Sequence, residues 1–472
     1  MNDLKQIVDS IANVCSDSIL VPLLLIVAVY FTIITRGVQF TMMREMLRLL
    51  VTSGKREGEK PSVEHRGVSS FQAFAISIAS RVGTGNLAGV ASAIAIGGPG
   101  AVFWMWIIAL LGAASAFVES TLAQLYKIKG EKSFRGGPAY YILHGLHCRP
   151  WAIVFAVLIT LTFGFAFNSV QANTIADAMN ESFGIPPMVV AIALTVLTMR
   201  IVCGGITRIS QFSQWVVPVM AIAYILLALI VVIINISEIP RVFSLIVENA
   251  FGFNQALGGT LGAAMVMGIK RGLFSNEAGE GSTPNAAATA DVSHPVKQGL
   301  IQALGVYTDT LVICSCTAFI ILCSGLYLEG HDGIVLTQRA IDAGLGTDTH
   351  LGSLFVSIAI FFFAFTSIVA NYYYGETNIQ FITRNKSVIT VYRLLVGAIV
   401  FVGALASLDL VWGFADITMA LMTLCNLGAI VALSPYVRVL LEDYRRQRRL
   451  GDPIYRRSTL PKIASDTPCW PD

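Results

Sequence analysis

Stretches of about 20 apolar residues recur along the whole chain, from the run Ile19–Ile34 to the one that ends near Tyr436. A helix of that length matches the hydrocarbon thickness of a bilayer. In lipid every backbone N–H and C=O must find its partner inside the protein, so only helices or a closed barrel can span. Barrel strands read as short alternating segments, and the chain has none. Composition agrees, with 55% hydrophobic and only 13% charged residues, where soluble proteins carry about 25% charged. The fold class expected is an all-α polytopic membrane protein. Eleven helices are expected, near 18–35, 71–97, 101–126, 151–179, 187–203, 212–235, 257–290, 297–324, 351–381, 389–406 and 411–437. The first is read as a retained helix, because Arg36 follows it and no small-residue cleavage site is evident.

Basic residues are sorted between the loops. Arg36–Arg66 holds seven Lys and Arg, Lys127–Arg149 five and the tail from Arg438 eight; the opposite side holds Lys5, Arg241 and Arg339. Cytoplasmic loops carry the Lys and Arg excess. The N-terminus is therefore expected outside, the C-terminus in the cytoplasm, and the protein in the cell membrane. The tail EDYRRQRR reads as a solvated, lipid-proximal basic end. Segments 236–256 and 328–348 are of mixed polarity and read as amphipathic helices over an outer vestibule. The eight cysteines fit neither a zinc nor a disulfide framework, and His144 and His147 lack further metal-ligand partners.

Two helices are interrupted, the second at Gly83–Asn86 and the seventh at Ser275–Pro284. Without the first helix ten remain, in two sets of five, 71–235 and 257–437, and each set opens with an interrupted helix. An odd number per half inverts the second half. The segments are then 1–70 (extra helix and cytoplasmic amphipathic segment), 71–235 (first repeat), 236–256 (outer connection), 257–437 (second repeat) and 438–472 (tail). Paired broken helices in inverted halves point to the binding site of a secondary transporter. A half-helix N-terminus suits a carboxylate; a half-helix C-terminus presents carbonyls that suit a small hard cation. The sequence has no GxxxxGK[ST] for ATP. Gly83-x-Gly85-x-x-Ala88 imitates a dinucleotide fingerprint but lacks the strand and the acidic residue that motif requires.

The second interruption, RGLFSNEAGEGSTPNAAATAD, carries Ser275 and Asn276, neutral groups that can read an ammonium or carboxylate, together with Glu277 and Glu280. Carboxylates at that depth cost about 2.5–3.5 kcal/mol each unless paired. Arg81, Lys270 and Arg271 are the expected partners. Glu119, Gln171, Asp177, Asp309, Glu376 and Asp416 are further polar groups in apolar helices. Gln171 in FNSVQANTIA suits a zwitterion, and Thr366-Ser367 place two hydroxyls in an apolar run. Back-bonding to the preceding turn is the alternative for those hydroxyls.

The motifs ASRVGTGNLAGVASAIAIGGPGAVFWMW, FRGGPAYY, RGLFSNEAGEGSTPNAA and FAFTSIVANYYYGE resemble the alanine or glycine:cation symporter family over residues 18–440. The resemblance implies the leucine-transporter fold, five plus five inverted helices, here with one extra N-terminal helix. It implies that the amides of Thr84 and Gly85, with Asn86, hold a substrate carboxylate in the unwound first core helix. Carbonyls of Ala79 and Val82 with the hydroxyls of Thr366 and Ser367 would form a sodium site. Gln171, Phe274, Ser275 and Asn276 would line the substrate pocket. Two positions depart from the family pattern. Arg81 stands where many members have alanine or threonine, and Ala370-Asn371 where they often have Gly-Trp; Asn371 would widen the pocket.

The expected function is a sodium-coupled symporter of small neutral amino acids, alanine and glycine first. Na⁺ is co-transported and no organic cofactor or nucleic acid is involved. Serine or glutamine as substrate, and coupling to protons, are the alternatives. A transporter-like sensor would need an output domain, and a membrane-embedded enzyme a nucleophile–base or metal cluster; the sequence offers neither.

Overall fold

The computed structural model describes residues 10–52, 68–130, 133–203, 206–251, 261–346 and 350–472. The first half contains α1 (Ser10–Ile34), α2 (Ser70–Arg81), α3 (Gly85–Gly97), α4 (Ala101–Leu125), α5 (Arg149–Phe183), α6 (Pro187–Val202) and α7 (Ile206–Ile234). After α8 (Ile239–Ala250) follow α9 (Leu261–Asn276), α10 (Thr283–Ala287), α11 (Pro295–Ser324), α12 (Gly333–Leu345), α13 (Leu351–Ile382), α14 (Lys386–Leu405) and α15 (Leu408–Arg448). Among the described residues the one sheet is a small hairpin, β1 (Ile128–Lys129) against β2 (Phe134–Arg135), antiparallel with Ile128 opposite Arg135.

Among the described residues seven helices are long and apolar enough to cross a membrane, or eight if the pair Pro218–Ile234 and Ile236–Ala250, bent by 78°, is one span. That is fewer than the sequence predicts. Helical segments stand at the expected positions, but an uninterrupted apolar run is not an uninterrupted helix. α2–α3 and α9–α10 are broken, α6 has only 16 residues, and α7 carries Pro218 and passes the measure only with α8. Pro removes a backbone donor and kinks the helix. The start expected at 257, the end of the 236–256 connection, and Lys5, Lys55, Arg56, Lys60, Arg66 and Lys132 lie outside the described residues.

Large apolar side chains such as Ile26, Ile33, Val196, Ile222 and Leu394 face outward, as a lipid-facing surface requires. The inner half of α4 is continuously buried from Gly112 to Leu125, and so is α13 from Phe363 to Asn378. α4 packs along α9 and α11, and α13 along α5, α2 and α12. At the α4–α9 crossing a Cβ on Gly272 would stand 2.8 Å from Ile108 Cγ2; small residues let membrane helices approach this closely.

The segment 328–348 contains the helix α12, which is anchored by hydrogen bonds: Thr337 Oγ1 donates to Leu87 O at 3.0 Å, and Gln338 Nε2 to Ser182 Oγ and Ser357 Oγ at 2.8 Å each. In the run EDYRRQRR, Arg446, Arg448 and Arg449 are exposed, but the chain beyond it turns back after α15, so that Tyr455 N donates to Ser293 O at 2.9 Å and Trp470 Nε1 to Leu125 O at 3.1 Å. Tyr455 and Trp470 are buried; these aromatic residues lie beyond the basic run and gain from burial what the run itself does not.

Candidate functional site

α2 begins with a capping box in which Ser69 and Gln72 bond each other's backbone N–H, and it ends at Arg81. Val82–Thr84 are non-helical in part, with Val82 extended (φ −77°, ψ 94°). The chain resumes at Gly85, so Asn86, expected in the break, lies in the restarted helix. Every residue from Ala79 to Gly89 is buried. The groups freed by the break are met one by one. Asn86 Oδ1 accepts from Gly83 N at 2.9 Å. Gln171 Oε1 accepts from Thr84 N at 3.0 Å and from Thr84 Oγ1 at 2.8 Å. Buried backbone at membrane depth requires such partners.

On the carbonyl side, Ser367 Oγ lies 2.8 Å from Ala79 O, 3.0 Å from Phe363 O and 3.4 Å from Val82 O. A hydroxyl has one proton, so it satisfies only one of these carbonyls fully. The Ala79 and Val82 carbonyls of the first break therefore share that one hydroxyl. Thr366 behaves differently from its neighbour: its Oγ1 donates to Phe363 O in its own helix at 2.8 Å, the back-bonding alternative. Of the expected pair, only Ser367 is hydrogen-bonded to the carbonyls of the first break.

The second break starts two residues later than the sequence suggests. Phe274, Ser275 and Asn276 still belong to α9, and Glu277–Ser282 are the unwound part. Glu277 takes φ +55°, and Gly279 and Gly281 take φ +91° and +87°, values that disfavour any residue with a Cβ. The two breaks touch: a Cβ on Gly85 would lie 3.0 Å from Ser275 Cα and 3.1 Å from Phe274 Cδ1. Asp309 of α11 joins them, accepting from Asn86 Nδ2 at 2.7 Å on Oδ1 and from Ser275 Oγ at 2.7 Å on Oδ2. Asn276 Nδ2 donates to Thr310 Oγ1 at 3.2 Å. Phe274 is packed between Phe167 and Trp412, with centroids at 4.4 and 4.6 Å.

Of the two carboxylates of the second break Glu277 is held, by hydroxyls and not by an ion pair with one of the expected cations. Lys270 and Arg271 bond Asp17 and Asp416 instead, at 2.9 and 2.7 Å, because α9 carries them one to two turns before the break and toward α1 and α15. Ser80 Oγ donates to Glu277 Oε1 at 2.6 Å and sits 2.8 Å from Asn371 Oδ1; Ser282 Oγ donates to Glu277 Oε2 at 2.5 Å. Arg81 Nη2 donates to Thr283 Oγ1 at 3.0 Å and Nη1 to Gln302 O at 3.2 Å. Glu119 accepts from Gly279 N (3.1 Å), Gly281 N (3.0 Å) and Asn426 Nδ2 (3.0 Å). Among the described residues neither oxygen of Glu280 has a hydrogen-bond partner.

The expected substrate and cation residues thus fall into one buried zone. Asn371 stands a turn beyond Ser367, joined to Ser80, and among the described residues its Nδ2 has no hydrogen-bond partner. Glu119 and Asp309 have roles that sequence reasoning did not assign. Their only signal was an acid inside an apolar helix, which marks a polar contact but not its address.

A family model described as the sodium:alanine symporter family matches residues 1–457. The probable sodium/glutamine symporter GlnT of Bacillus subtilis is 50% identical over 99% of this chain and 97% of its own. The amino-acid carrier protein AlsT of the same organism is 50% identical over 99% of both. Among solved structures, MhsT in complex with L-phenylalanine superposes with TM-score 0.56 at 14% identity, covering 86% of this chain and 93% of that one; that likeness speaks to the fold.

Proposed function

The chain belongs to the sodium:alanine symporter family, a family of membrane transporters rather than enzymes, and on that premise we propose that it carries small neutral amino acids into the cell together with Na⁺. The reading rests above all on one observation, the convergence of the Ala79 and Val82 carbonyls of the first break on a single Ser367 hydroxyl. Oxygens gathered around too few protons are a ligand set for a small hard cation. Na⁺ would be held there by Ala79, Val82 and Ser367, with Thr366 turning its hydroxyl in.

The amino acid would dock alongside. Gln171 Oε1 accepts from both the amide and the hydroxyl of Thr84, the donors a substrate carboxylate would use, with Gly85 and the positive end of the restarted helix behind them. Asn86, Ser275 and Asn276 are the neutral groups around the zwitterion, and Phe274 closes the apolar side. Eleven helices in an inverted five-plus-five arrangement, with the N-terminus outside and the tail in the cytoplasm, would then alternate access around this zone. One charge moving inward gains about 2.3 kcal/mol per 100 mV, and a tenfold Na⁺ gradient adds about 1.4 kcal/mol.

Alanine and glycine are the first substrates proposed. Glutamine is the second reading, favoured by Asn371 Nδ2, partnerless among the described residues and a donor for a side-chain carbonyl, and by the name of a relative 50% identical. Labelled-alanine uptake into proteoliposomes with a Na⁺ gradient, a H⁺ gradient or neither tests the coupling. Uptake driven by H⁺ alone overturns the sodium site; competition by glutamine but not glycine selects the second reading.

A further inference from the structure

On the face of the molecule that carries the basic loops several cations are paired with carboxylates: Arg448 with Glu45 (2.9 Å), Lys297 with Asp452 (2.6 Å), Arg446 with Asp443 (2.5 Å) and Arg457 with Asp472 (2.6 Å). One cleft on this face gathers three cations instead. It has a volume of about 300 Å³ and lies between the β1–β2 hairpin, the helix Pro138–Gly145 and the end of α13. Lys129, Arg135 and Arg384 line it, and among the described residues no carboxylate does. None of the three forms an ion pair among the described residues.

The cleft is shaped by local structure. The hairpin register sets Arg135 opposite Ile128, and Gly130 leaves room for its stem, since a Cβ there would stand 3.1 Å from Arg135 Nε. Arg384 follows the last turn of α13. Both guanidinium charges reach the same phenol: burial pushes the Tyr140 hydroxyl up, and Arg135 and Arg384 pull it back. Burial holds His144 below its usual value, so the positive charge comes from the lysine and the two arginines. The other wall is apolar. Phe381 meets Tyr140 edge-on at 5.1 Å, and Ile382 beside it is 43% exposed.

We propose that this cleft binds an anionic phosphate group, with Arg135, Arg384 and Lys129 as its ligands. Guanidinium forks match phosphate oxygens in pairs, and basic pockets between membrane helices take anionic headgroups. The source is either a phospholipid headgroup, for which Phe381 and Ile382 supply the acyl-chain side, or inorganic phosphate from solution. Placing the cleft on the cytoplasmic face rests on the orientation proposed above; anion binding does not.

The test uses the full-length protein in phosphatidylcholine nanodiscs with or without phosphatidylglycerol. Retained lipid is read by native mass spectrometry and inorganic phosphate binding by calorimetry. Arg135→Gln/Arg384→Gln is expected to weaken retention of phosphatidylglycerol about tenfold or more, and Arg438→Gln on the same face to change nothing. Loss of phosphate binding with lipid retention intact assigns the cleft to the free anion. Lys129→Gln alone, at the exposed rim, should weaken either ligand less, and Arg135→Lys/Arg384→Lys should restore part of it. Equal retention of both ligands by wild type and the double variant overturns the proposal, as does a loss that Arg438→Gln reproduces.

Discussion

The two broken helices solve one problem in opposite ways. The first leaves only Val82–Thr84 outside regular structure and meets its amides with neutral acceptors, Asn86 Oδ1 and Gln171 Oε1. The second unwinds Glu277–Ser282 and meets its amides with a carboxylate, Glu119, which also binds Asn426. A neutral amide bond is worth about 0.5–1.5 kcal/mol net, a bond to a charged group about 1.5–3. The first break is therefore cheap to open for a ligand, and the second is fixed. That division suits a carrier, in which one break exchanges partners while the other holds the frame.

The largest test of this contrast is Glu119→Ala. It leaves two buried N–H groups without an acceptor and should cost about 3 kcal/mol or more, seen as a large drop in thermal stability of the purified protein. A loss no greater than that of a first-break variant would erase the distinction. Gly83→Ala comes next. Its methyl would overlap Ser367 Oγ and stand 2.8 Å from Gln171 Oε1, so uptake should fall below detection while the protein still purifies as a folded species. Ser367→Ala should raise the half-saturating Na⁺ concentration about tenfold or more, equivalent to about 1.4 kcal/mol, with little change in melting temperature. Thr366→Ala should do less, because its hydroxyl is committed to Phe363 O; equal effects would make the two hydroxyls equivalent ligands. The smallest effect belongs to Ser80→Ala, which loosens Glu277 from Asn371 and should cost about 1 kcal/mol with Na⁺ dependence unchanged.

Sequence reading located both breaks to within a few residues, because glycines and polar side chains are conspicuous inside runs such as FQAFAISIAS and VASAIAIGG. It erred on which groups meet. Arg81, Lys270 and Arg271 were the expected partners of Glu277 and Glu280; instead α9 turns Lys270 and Arg271 toward Asp17 and Asp416, Arg81 bonds Thr283 and Gln302, and hydroxyls take Glu277. Thr366 and Ser367 looked alike, yet adjacent helical residues differ in direction by about 100°, and only one is bonded to Ala79. In the tail the exposed basic run was legible, and the packing of Tyr455 and Trp470 beyond it was not.

The sequence alone determined that this chain is helical, membrane-embedded and interrupted twice, because hydrophobic length and misplaced glycines are local properties that lipid makes decisive. Tertiary structure decided which carboxylate caps which break, that Asp309 ties the two together, and that a single hydroxyl faces several carbonyls. Those pairings join residues up to 307 positions apart, as Glu119 and Asn426 are. Nothing local in the chain encodes such a meeting; it follows from how the helices pack.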